Sequence, residues 1–235
     1  MSSRYAPELV VTGGSTAELG VSEERVRPRF RGSTHKYAFF VSLIAGAVLV
    51  IVAPNDKAGL AAAIYALSVS ALFGTSALYH RVTWKPAARR WMRRLDHSMI
   101  FVLIAGTYTP LTLLILHGTL SHVVLAVVWG GAMIGVVLKL IWIDAPKWLI
   151  SGVYLALGWV GVVTIPQMLS RAGVGAVALV VIGGLLYTVG AVIYAVRRPD
   201  PRPAVFGYHE IFHLLVIVAA ATHYAAIAAY ALPAS

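Results

Sequence analysis

Polar and apolar residues do not alternate along this chain; they segregate into blocks. Seven mostly apolar runs occupy residues 37–53, 60–80, 97–116, 121–141, 147–168, 174–196 and 209–231. Each is close to the roughly 20 residues that a membrane-crossing helix needs. The breaks between them carry turn and charge signals: PNDKAG, the basic stretch from Arg81 to Arg94, HGTLS, the DAP before Lys147, SRAG and RRPDPRP. Within each run the apolar character goes right round a helical wheel, as it does in lipid, rather than along one stripe. No period of 20 to 50 residues repeats, which argues against a solenoid. The pattern predicts an all-α, seven-transmembrane helix bundle over 37–231. A polar cytoplasmic tail over 1–36, expected to be disordered from its composition, precedes the bundle, and a short tail over 232–235 follows it.

Composition agrees with a membrane setting. Of 235 residues, 59% are hydrophobic and 12% charged, against about 25% charged in a soluble domain. There is no cysteine, which excludes a disulfide framework and thiolate chemistry. The tail lacks the basic-then-apolar order of a signal peptide and reads as retained. With seven crossings, 17 of the 19 Lys and Arg fall on one side, leaving Lys57 and Arg171 for the other. The positive-inside rule then puts the N-terminus in the cytoplasm and the C-terminus outside a multi-pass protein of the cell membrane. The net charge of +10 follows from that topology and from attraction to anionic inner-leaflet lipid. The basic residues are divided among loops beside spans, so the lipid bilayer, and no nucleic acid, is the expected partner. TWKPAARRWMRR is expected to form a short helix lying in the headgroup layer.

Polar side chains collect at one depth. His80 ends the second run, Asp96 and His97 open the third, and His209 and His213 open the seventh, all on the cytoplasmic side. Polar groups in hydrocarbon are costly and usually carry a function. His209 and His213 stand at i and i+4, on one helix face a turn apart, the spacing of two ligands to one ion. His80 would supply a third nitrogen. A fourth tetrahedral position is then left for water, the pattern of a catalytic rather than a closed structural zinc site. Imidazole also suits copper, nickel and iron; zinc (Zn2+) is the default without a redox cofactor. Asp96 is placed to hold the zinc-bound water as general base. Ser76, one turn before His80 in SALYH, is placed to stabilise an oxyanion or orient the water.

SALYH, LDHSMIFVLIAGTYTP (95–110) and HEIFHLLVIVAAATHY (209–224) together resemble the hemolysin III family. That family groups with the progestin and adiponectin receptors and, more distantly, with alkaline ceramidases. The likeness covers about residues 35–231. It implies a seven-helix membrane protein with a cytoplasmic N-terminus and a zinc ion near the inner leaflet. On this chain the family's serine falls on Ser76, its first histidine ligand on His80, its water-bridged aspartate on Asp96, and its last two ligands on His209 and His213. The implied activity is hydrolysis of a lipid amide or ester, with a lipid substrate. Two readings from other classes stand beside it: a receptor-like or scaffold protein with structural zinc, and a cytolysin. The cytolysin predicts a polar stripe along a span, which none of the seven runs carries.

The remaining polar residues have plainer expectations. Asp96 has an alternative as an ion-pair partner of Arg93 or Arg94. His97 points about 100° from Asp96 and reads as supporting or packing. Glu210 is expected to face the cytoplasm or the interfacial arginines. His223 is expected to be a satisfied buried histidine, bonded to Thr107 or Tyr108. His35, His117 and His122 read as surface residues, and Tyr79, Tyr108, Trp142, Trp148 and Tyr208 as an interfacial aromatic belt. Pro110 and Pro166 are expected to kink their helices, and a lipid chain is expected between helices below the metal.

Overall fold

A chain in hydrocarbon has to satisfy its own backbone N–H and C=O groups, and the apolar runs do so as helices. The computed structural model describes residues 28–235, and the part of the expected tail over 1–27 lies outside the described residues. The elements are α1 (Ser33–Ile51), α2 (Asp56–Arg81), α3 (Pro86–Pro110), α4 (Gly118–Ile141), α5 (Lys147–Gly158), α6 (Ile165–Val196) and α7 (Tyr208–Ala226). Asn55 caps α2, its side chain accepting the Ala58 N–H at 2.9 Å. Pro86 sits in the first turn of α3, where its missing N–H costs nothing.

Three boundaries differ from the sequence reading. First, α1 begins at Ser33, inside the expected tail, and the N–H groups of Arg29 and Phe30 donate to the Ala204 and Val205 carbonyls at 3.0 and 3.2 Å. Second, the basic stretch is not a separate surface helix. The break shrinks to 82–85, and Arg89, Arg90, Arg93 and Arg94 occupy the opening turns of α3 itself. Helix propensity explains the continuation, because Ala, Arg and Met all favour it and nothing after Pro86 breaks it. Third, α3 passes beyond Pro110 as a π-turn over Leu111–Ile115, a common way to absorb the hydrogen bond that proline removes. Pro166 stands at the start of α6, after a 3₁₀ stretch over Trp159–Thr164, and interrupts no helix.

Six helical stretches among the described residues are long and apolar enough to cross a membrane. One of them, Lys147–Val196, is 50 residues long, about 75 Å if straight, and it is not straight. Gly173 inside it has φ 78° and ψ 178°. The Trp159 indole N–H donates to the Thr188 hydroxyl at 3.0 Å, although a straight helix would hold these residues about 43 Å apart. The Lys147 ammonium stands 4.3 Å from the Tyr194 ring centre, so the two ends of the stretch meet. The stretch folds back on itself at Gly173.

Neighbouring helices pack in chain order, and α7 returns to α1, closing a ring. α3 is the most deeply buried of the long helices. Large apolar side chains point outward: Ile44 is 70% exposed, Leu67 69% and Ile134 64%. That surface needs lipid against it, and the protein is a multi-pass membrane protein.

The conformation of Gly173 lies in a region essentially reserved for glycine, and a Cβ there would meet no atom within 4 Å. Gly173→Val is therefore expected to destabilise through the backbone alone, by about 1–3 kcal/mol. It should lower the unfolding temperature in detergent. Gly130→Ala, at a helical glycine that also has open space, should leave that temperature unchanged or raise it.

Candidate metal centre

The end of α2, the start of α3 and the start of α7 meet at one end of the ring. His80 comes from the last turn of α2, and His209 and His213 from the first two turns of α7. One ring nitrogen from each lies within 4.8 Å of the other two. The Nε2 atoms of His80 and His209 are 3.1 Å apart. Metal–nitrogen bonds of about 2.0–2.1 Å place neighbouring donors of a tetrahedral ion roughly 3.4 Å from one another. The His80–His209 pair is at that scale and His213 is close by, His80 and His213 are buried, and all three residues offer imidazole nitrogens suited to a divalent transition ion. The three histidines could hold a metal.

Asp96 lies beside the trio, its Oδ2 3.9 Å from Nε2 of His80. The alternative ion pair with Arg93 or Arg94 does not form: Arg93 pairs with Asp144 at 2.7 Å, and Arg94 donates to the Leu140 carbonyl at 2.9 Å. Ser76, one turn before His80 and 2% exposed, lies against the Asp96 carboxylate. His97 turns away from the trio. Its Nδ1–H donates to the Arg93 carbonyl at 2.7 Å, and the Tyr194 hydroxyl donates to its Nε2 at 3.3 Å. Both nitrogens are used, in keeping with a supporting role.

One residue departs from the sequence reading, and a second takes one of its two expected settings. His35 is not on the surface: it is 2% exposed and stacks on His213, ring centres 3.8 Å apart and planes 10° from parallel. Its Nε2–H donates to the His213 carbonyl at 3.3 Å. Glu210 takes the second of its expected settings, against an arginine rather than facing the cytoplasm, and it is fully buried. Its Oε1 pairs with Arg31 Nε at 2.6 Å, and its Oε2 accepts the Gly207 N–H that opens α7, at 2.9 Å. The sequence signal for His35 was its place beside Ser33, at the same end of the bundle as His80 and His213. Gly32, which starts α1, has φ 75°, and a Cβ there would stand 2.5 Å from Cβ of His80. Glycine thus lets α1 begin directly against His80.

Other expectations divide. His117 and His122 are exposed, as expected. His223 is buried but bonds neither Thr107 nor Tyr108; its Nε2–H donates to the Val180 carbonyl at 3.1 Å. Tyr108 is not part of a belt. Its hydroxyl donates to the Gly158 carbonyl at 2.6 Å and accepts the Gly161 N–H, tying α3 to the chain after α5.

Ser76, Asp96, His209 and His213 line one end of a cavity of about 180 Å³ that continues between the helices to Thr112, Met168 and His223. That is many times the space one water needs, and most of its wall is aliphatic or aromatic.

A family model described as Haemolysin-III related matches residues 24–224. The Hemolysin-3 homolog of Bacillus subtilis (strain 168) is 34% identical over 188 residues, 78% of this chain and 84% of that protein. Hemolysin-3 of Bacillus cereus is 31% identical over 203 residues, 85% of this chain and 90% of that one. The Adiponectin receptor protein of Drosophila melanogaster is 32% identical over 158 residues, 57% of this chain and 34% of that one.

Purified protein is expected to carry about one divalent transition ion per chain, and His80→Ala and His213→Ala to carry far less by elemental analysis. Equal metal in all three proteins would place the ion elsewhere. His35→Ala removes the stack that fixes the His213 ring, so competition with a chelating dye should show affinity roughly 10- to 100-fold weaker.

Proposed function

As the chain belongs to the haemolysin-III-related family, we propose that it is a seven-crossing, zinc-dependent hydrolase of a lipid amide or ester in the cell membrane. The fold-back at Gly173 supports the seventh crossing, because it divides 50 apolar residues into two lengths that each match a bilayer. With seven crossings the basic residues sort to one side, which supports a cytoplasmic N-terminus and a C-terminus outside. Reporter fusions test this: a C-terminal alkaline phosphatase should be active and a C-terminal green fluorescent protein dark, and the reverse would remove the topology.

His80, His209 and His213 would hold the zinc; with no cysteine in the chain, an all-imidazole set suits zinc better than softer ions. Bound there, zinc supplies Lewis acidity and makes water a competent nucleophile near neutral pH. Asp96 has the position of a general base, beside His80 and open to the cavity. It takes the proton from the attacking water and returns it to the leaving amine or alcohol as the acyl bond breaks. Ser76 donates its O–H to the carboxylate before attack; once Asp96 has taken the proton, that O–H is free to turn to the developing oxyanion. The apolar cavity takes the acyl chain and keeps bulk water from it. One observation carries the reading: Ser76, Asp96, His209 and His213 line the same largely apolar cavity, which runs between the helices as far as Thr112 and His223.

Likeness to a protein named an adiponectin receptor supports a second reading, a ligand-receiving protein whose metal only shapes the site. Turnover separates the two. Short-chain ceramide and related lipid amides and esters should be hydrolysed by the purified protein, and a chelator should stop it. Asp96→Asn should lower the rate roughly 10²- to 10⁴-fold while the metal content is kept. No product from any of these lipids would leave the receptor reading.

A further inference from the structure

The cavity that starts at Asp96 does not stay apolar. Ten residues along α7 from His213, about 15 Å on the helix axis, His223 lines its wall. His223 is 7% exposed, and its Nε2–H is committed to the Val180 carbonyl. That bond sets the tautomer of the neutral ring and leaves Nδ1 as an acceptor. Nδ1 is buried without a partner. Tyr187, on α6, stands with its ring centre 5.6 Å from that of His223. Its hydroxyl is also buried and unpartnered, as is the Thr112 hydroxyl on the same cavity. Buried polar atoms normally find partners, and each exception needs an explanation.

We infer that His223 and Tyr187 form a second polar subsite, and that the preferred lipid carries a hydroxyl group on its acyl chain at that depth. A chain hydroxyl donates to His223 Nδ1 and accepts from the Tyr187 O–H, satisfying both orphans at once. A ketone can only accept, and a double bond offers neither. The subsite lies about 15 Å from the metal-site end, which an extended chain, at about 1.25 Å per bond, covers in roughly a dozen carbons. The inference rests on the reading that the cavity houses the lipid chain.

The test is displacement of a fluorescent fatty acid from the purified full-length protein by 12-hydroxystearic acid and by stearic acid. Comparing the two ligands on each protein variant cancels their different partition into detergent. The unmodified protein should favour the hydroxylated chain about tenfold. Tyr187→Phe removes a single oxygen and should cut that preference to about twofold or less; His223→Phe should do the same. Equal binding of the two acids to the unmodified protein, or a preference that survives both substitutions, overturns the subsite and leaves ordered water as its occupant. Failure of both acids to displace the probe overturns it as well. Discriminating binding without turnover of any lipid keeps the subsite and removes the hydrolase reading; turnover with equal binding does the reverse.

Discussion

In hydrocarbon a polar atom has only other protein atoms to bond to, so folding here turns on where polar side chains are allowed to meet. His35, Ser76, His80, Asp96, His209 and His213 meet at one end of the ring, around two imidazole nitrogens 3.1 Å apart. Two lone pairs repel at that distance, and a shared proton or cation between them turns the repulsion into attraction. The rest of the site is arranged around this pairing. It joins α2 to α7, two helices far apart in sequence, and it sets where Asp96 and the mouth of the cavity lie.

That meeting point is held from more than one side. The segment before α1 bonds to the connection between α6 and α7 through Arg29 and Phe30. Arg31 then reaches the buried carboxylate of Glu210, whose other oxygen caps α7. Gly32 lets α1 start against His80, and the next turn brings His35 onto the face of His213. Breaking a buried ion pair leaves a bare charge and is costly, so Arg31 and Glu210 fix where α7 begins. His209 and His213 ride on that start. A ligand geometry good to fractions of an ångström needs this kind of redundant support.

How much of this could be read from the chain depended on the range of the interaction. The spans were legible because hydropathy is a local property, summed over twenty neighbours. The meeting of Ser76, His80, Asp96, His209 and His213 was legible because basic residues sort the loops to one side and so align helix ends. The setting of His35 and the full burial of Glu210 were not legible, for a related reason. A polar residue just outside an apolar run looks like surface until another segment covers it, and the covering segment comes from about 180 residues away in the chain. The basic stretch before the third span was read as interfacial because charge outweighed propensity in that judgement. In the fold, its helix formers simply extend α3 into the headgroup region. The bonds of His223 and Tyr108 depended on the packing angles of α3, α5 and α6, which no local pattern encodes.

A long apolar cavity poses a problem of register. Burial of methylenes is favourable but has no direction, so a plain chain can slide along such a space at little cost. A hydrolase of the kind proposed would tolerate no such sliding, because displacing the reacting carbonyl by about an ångström can cost a hundredfold in rate. On that proposal, the end at Asp96 could grip the head of a lipid only once the head has arrived. A polar contact deeper in the cavity, where Tyr187 and His223 leave buried atoms unpartnered, would stop the chain at one depth and deliver its carbonyl to Asp96. The two polar ends of the cavity then act as a ruler, with the spacing set by ten residues of one helix.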